Sequence, residues 1–90
     1  MRVLLVGRQR SMMDAAVAVV SANGFTAKGV LTDDEALTEI ASGDFAVVTI
    51  GGGVEPDSRS RIKSAAAASK IASLDVFGPD DLVNKLKKIG

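Results

Sequence analysis

The chain predicts a three-layer α/β fold: a four-stranded parallel sheet in the order 2-1-3-4, with helices on both faces. Two observations predict it. Short apolar runs at 3–6, 25–31, 45–50 and 71–77 alternate with stretches of helical periodicity. The connections between them are short and carry glycine, proline or capping residues. Alternation of this kind builds βα units, whose crossovers are almost always right-handed, and so a sheet of parallel strands. All ninety residues are expected to form one domain, near the lower size limit for a chain that folds without staples.

The first run, Val3-Leu4-Leu5-Val6, is short and apolar throughout, as suits a strand covered on both faces. Ser11 is expected to cap the first helix, with Asp14 near its positive end. Met12, Ala15, Ala16, Val19 and Ala22 recur at helical spacing, and Asn23-Gly24 ends the helix. Residues 25–31 form a weaker strand, broken by Lys28 and Gly29, which suits an edge. Thr32-Asp33-Asp34-Glu35 has the form of a capping box, with Thr32 as cap and Glu35 reaching back. Ala36, Leu37, Ile40 and Ala41 give that second helix its inward face, and Gly43 closes it.

The run at 45–50 is the most strongly apolar and belongs at the centre of the sheet. Gly51-Gly52-Gly53-Val54-Glu55-Pro56 is a loop, and Asp57 or Ser58 starts a third helix that runs to about Lys70. Ile62, Ala65, Ala66 and Ser69 are expected on its inner face. The last strand, 71–77, lies at the second edge. Gly78-Pro79 opens the final helix, because proline's missing amide is harmless at the first position. Asp80 and Asp81 suit its positive end and Lys85, Lys87 and Lys88 its negative end, while Leu82, Leu86 and Ile89 face inward.

Composition narrows the function classes. Hydrophobic residues make up 47% of the chain, enough for a core, and with three phenylalanines as the only aromatics that core is aliphatic. Eleven basic and eleven acidic residues cancel, which argues against a nucleic-acid or membrane-surface binder and mildly favours self-association. There is no cysteine, so no disulfide or thiol chemistry, and no histidine, the commonest general base and metal ligand. Gly7-Arg8-Gln9-Arg10 cuts the N-terminal apolar run off after four residues, too short for a signal peptide. No stretch approaches the roughly 18 apolar residues of a membrane span. A cytoplasmic protein without a cofactor is expected.

Several segments together resemble a response-regulator receiver domain, a flavodoxin-like fold. Val3-Leu4-Leu5-Val6 is similar to the receiver's first strand, and Ala22-Asn23-Gly24-Phe25 to its turn into strand two. Asp34-Glu35-Ala36-Leu37 with Gly43-Asp44-Phe45 is similar to the second helix and the entry to strand three. Gly78-Pro79-Asp80-Asp81-Leu82 is similar to the start of the last helix. A receiver has five βα units; this chain has room for four. The resemblance implies an acidic pair after strand one, where this chain has Gly7-Arg8. It implies a phosphoacceptor aspartate at the end of strand three, where this chain has Gly51. It implies a lysine after the last strand, where the matching positions read Val76-Phe77-Gly78. A shortened, degenerate receiver that is not phosphorylated is therefore expected, acting as a regulatory or protein-interaction domain.

In open parallel sheets ligands bind beyond the carboxyl ends of the strands, where the strand order reverses. Gly7, Arg8, Gln9, Arg10 and Ser11 at one strand end and Gly51, Gly52 and Gly53 at the next, with Arg59 and Arg61 nearby, could together hold the phosphate of a small ligand or nucleotide. The same residues also serve tight strand-to-helix turns, and neither dinucleotide nor P-loop fingerprints are present. Asp33-Asp34-Glu35 is better explained by helix capping than by metal, because adjacent helical carboxylates diverge. Ser11, Ser58, Asp14 and Asp57 lack the histidine that would activate a serine, so catalysis is not expected. A protein-binding surface is the remaining candidate: a symmetric homodimer or a partner protein, through the last strand's edge or an adjacent helix, with Met12 and Met13 as adaptable contacts.

Overall fold

The computed structural model describes residues 1–89. Four strands alternate with four helices: β1 (Arg2–Val6), α1 (Arg10–Ala22), β2 (Thr26–Val30), α2 (Asp33–Ser42), β3 (Val47–Gly51), α3 (Pro56–Ala68), β4 (Ala72–Val76) and α4 (Pro79–Ile89). The strands form one parallel sheet, as the alternation predicts, in the expected order β2-β1-β3-β4. In register, Leu5 lies beside Thr49 on β3 and Gly29 on β2, and Thr49 lies beside Leu74 on β4.

Because successive strand residues point to opposite faces, the sheet divides the core in two. Leu4, Val6, Val48 and Ile50 pack with Ala36 and Ile40 of α2 and Ile62 and Ala66 of α3. Val3, Leu5, Val47 and Val76 pack with Val20 of α1 and Leu82 and Leu86 of α4. The central strands β1 and β3 are buried along nearly their whole length, while β2 and β4 alternate or stay half-exposed, as edges must.

Several local expectations are corrected. The inward face of α1 carries Met13, Ala16, Val17 and Val20, whereas Met12 and Ala15 are exposed. Both sets share helical spacing; Gly29, having no side chain, makes room on β2 for Met13 and Val17 and so settles the rotation. Ser11 is not the cap: α1 begins at Arg10 after Gln9, with no side-chain cap bond, so Asp14 lies beyond its first turn. Helix α3 starts at Pro56 rather than Asp57 or Ser58, with Glu55 before it, because proline's fixed φ suits the first helical position. Ser69 and Ala41 are exposed, each beside the end of its helix. Ile89 is also exposed; Val83 joins Leu82 and Leu86 in the buried face of α4 instead.

The second helix follows its sequence closely. Thr32 Oγ1 accepts from the Glu35 amide at 3.2 Å and donates to the Glu35 carboxylate at 2.9 Å. Gly43 ends the helix at φ 75°, a left-handed conformation that glycine adopts without strain.

Candidate functional site

All four βα connections emerge at one edge of a parallel sheet. Here that edge carries three distinct features: two ionic clasps on the α2/α3 side and an apolar crevice on the α1/α4 side.

The first clasp is built on Arg8. Its Nη2 donates to Asp33 Oδ1 and to Glu55 Oε2, its Nε to Glu55 Oε1 and its Nη1 to the Leu31 carbonyl. One side chain thus joins the loops that follow β1, β2 and β3. Ser58, buried in the first part of α3, donates its hydroxyl to Asp33 Oδ2 at 2.6 Å, and Arg61 stands 3.7 Å from the same oxygen. Hydrogen bonds to Glu55 and then Asp33 raise the Arg8 pKa above its ordinary value. Those from Ser58 and then Arg8 lower Asp33, and the bond from Arg8 lowers Glu55.

The second clasp is built on Arg59 of α3. Its Nη1 donates to Asp75 Oδ1, and its Nη2 to the carbonyls of Gly51, at 2.7 Å, and Val54. Lys63 donates to the other Asp75 oxygen at 2.7 Å. The Lys63 bond, with that of Arg59, holds the Asp75 carboxyl below the usual range. This clasp fixes the glycine loop after β3 against β4.

Between the first turns of α1 and α4, over the ends of β1, β3 and β4, lies a crevice of about 420 Å³. Leu5, Met13, Thr49, Val76 and Leu82 line its interior, with Gly7 and Gly51–Gly53 along one side. Met12, 63% exposed, and Pro79 lie at its mouth. Phe77 is 72% exposed and lies beside Gly52, since a Cβ there would stand 3.4 Å from its ring; Lys85 sits 5.7 Å from the ring centroid.

The fold brings Gly7, Arg8, Gln9, Gly51, Gly52 and Gly53 to the border of this one crevice. Arg10 and Ser11 lie on the first turn of α1 outside its lining, and Arg59 lies under the loop, bonded to the carbonyls of Gly51 and Val54. The donors of Arg8 and Arg59 are thus largely engaged by acceptors of the chain itself. Asp33, marked in the sequence by a capping box, and Ser58, marked as a helix start, enter the site together with Glu55 and Asp75, which no motif marks. Their signal is topological: Asp33, Glu55 and Asp75 stand at or just beyond the carboxyl ends of strands, which a parallel sheet brings to the same edge as Arg8 and Arg59.

A solved structure to which the chain is similar is that of the Vibrio cholerae chemotaxis protein CheY4, crystallised at low pH (4.0). The two share a TM-score of 0.70 and 14% sequence identity over 99% of this chain and 98% of that one. The likeness is one of fold, and it agrees with the receiver-like architecture. No protein-family model and no curated protein matches the chain. Among the described residues, no helix is long and apolar enough to cross a membrane.

Proposed function

We propose that this chain is a receiver-shaped domain that works without phosphorylation and acts through contact with another protein. One observation carries this reading. The site that would hold a cation and a phosphoryl group in a receiver has Gly7-Arg8 after β1 and Gly51 at the end of β3, and Arg8 is bonded to Asp33 and Glu55. A hard divalent cation needs several converging oxygens. Asp33 and Glu55 instead surround a guanidinium, which already supplies their positive partner. Phosphoryl transfer to the end of β3 would also need an acceptor carboxylate there, and Gly51 offers none.

Contact with a partner is supported by the surface. Phe77 is 72% and Met12 63% exposed, both beside the loops that follow β3 and β4. Large exposed aromatics and methionines are favoured at protein interfaces. The partner is either a second copy or another protein; a formal net charge of zero offers no repulsion between copies.

The test is incubation with a small phosphoryl donor and magnesium, followed by intact-mass measurement. The chain is expected to keep its mass, where a receiver treated in parallel gains a phosphoryl group. Appearance of a phosphoryl adduct on an aspartate at the strand ends would refute the proposal.

A further inference from the structure

We propose that the crevice between α1 and α4 is a binding site for a small, neutral aromatic molecule. The inference goes beyond the proposed interaction role and does not depend on it. Four observations carry it.

Size is the first. At about 420 Å³ the crevice falls within the roughly 300–1,000 Å³ span of small-molecule sites. A cavity of about 150 Å³ takes benzene, so this one has room for two rings.

The second is the character of the walls. Leu5, Val76 and Leu82 are aliphatic, and the Gly51–Gly53 loop presents backbone without side chains. Met12 and Met13 add flexible thioethers, which fit themselves to irregular shapes and make favourable contacts with aromatic ring edges.

The third is the disposition of charge. Arg8 borders the crevice, yet all three of its guanidinium nitrogens donate to Asp33, Glu55 or Leu31. Arg59 is turned beneath the loop to Asp75 and backbone carbonyls. A phosphate would have to displace carboxylates already in place, whereas a neutral ring displaces none.

The fourth is Thr49. It is 1% exposed and lines the crevice, and the hydrogen bond of its hydroxyl is to the Leu4 carbonyl at 3.5 Å, the outer limit of such a bond. A buried hydroxyl this weakly engaged can take a polar group of the ligand and orient it. A mostly apolar recess with a few placed polar groups, here Thr49 within and Gln9 at the border, is the usual composition of a small-molecule site.

The probe is N-phenyl-1-naphthylamine, a neutral aromatic amine whose fluorescence rises in apolar surroundings. The chain contains neither tryptophan nor tyrosine, so its own emission does not interfere. Saturable enhancement with one site per chain is expected. Ala16→Phe, which projects a ring from α1 into the lining, should weaken binding by about tenfold or more, equivalent to about 1.4 kcal/mol. Should that variant fail to give a native circular dichroism spectrum, Ala15→Phe, at an exposed lining position, replaces it. Ala67→Phe, exposed on α3, should leave the affinity unchanged. Inorganic phosphate at matched ionic strength should not compete. The proposal is overturned by non-saturable enhancement, by equal binding to the crevice-filling variant, or by displacement with phosphate.

Discussion

The Arg8 guanidinium and the Asp33 carboxylate, twenty-five residues apart in sequence, form a part-buried ion pair that ties the loop after β1 to the start of α2. Glu55 completes the grip from the loop after β3, so one arginine sets the mutual position of three βα connections. The divalent cation of a receiver is bound at this end of the sheet. Here the Arg8 guanidinium joins the loops of that edge.

Replacing Arg8 with methionine is expected to destabilise the fold by about 1–2 kcal/mol, a figure that allows for partial solvent screening. The loss follows because Asp33 and Glu55 are left as neighbouring carboxylates without their shared donor. Urea unfolding of the two proteins measures it; an unchanged midpoint would show that the clasp contributes nothing.

Acid should weaken the protein in a defined window. Asp33, Glu55, Asp75 and Asp81 all have pKa values lowered in the fold: Asp33 chiefly by Ser58, Glu55 by Arg8, Asp75 by Lys63, and Asp81 by the Phe77 amide. In that window the unfolded chain binds more protons than the folded one, so stability rises with pH. The contribution is fully present above about pH 5 and is lost as the pH falls through the folded values, below about pH 4. Arg8 is shifted upward and stays protonated throughout, so it adds no slope there. With no histidine in the chain, stability should be flat between about pH 5 and 8. Thermal midpoints across the acid range test this, and a slope near neutrality would contradict it.

Most of the architecture could be read from residue order because it depends on local signals. The Thr32–Glu35 cap, the Gly43 terminator and the apolar run before Gly51 each act within one element. The crevice was legible in part: Gly7 and Gly51–Gly53 do share one recess. Its character was not, because the fate of Arg8 depends on Asp33, Ser58 and Glu55, which reach it only through the fold. The facing of α1 was equally hidden. Met12 and Met13 satisfy the same periodicity, and Gly29 on β2 decides between them.

That last relationship is testable. A Cβ at Gly29 would fall closer than 3.0 Å to two atoms of the Met13 side chain and 3.3 Å from Val17. Gly29→Ala should therefore cost about 1–3 kcal/mol through overpacking. Met13→Ala should cost less in the Gly29→Ala background than in the parent, since it removes the clash. Strict additivity in the double-mutant cycle would argue against direct contact.

Leu86 is fully buried on α4 and belongs to the core cluster shared with α1. Truncation to alanine should cost about 2–5 kcal/mol, a large share of what so small a domain has. Ile89→Ala, three residues later and exposed, should change stability little. Paired thermal unfolding of the two variants checks the inward face of α4; equal losses would contradict it.

We propose that the carboxyl edge of this sheet has a receiver's shape without a receiver's phosphoryl chemistry. The most direct test is an amide chemical-shift titration with magnesium and beryllofluoride, a mimic of the phosphoryl group. The amides of Gly7, Arg8, Gly51, Gly52 and Gly53 are expected to remain where they are. Saturable shifts confined to those loops would show that the edge binds cation and phosphoryl mimic, and would contradict the account.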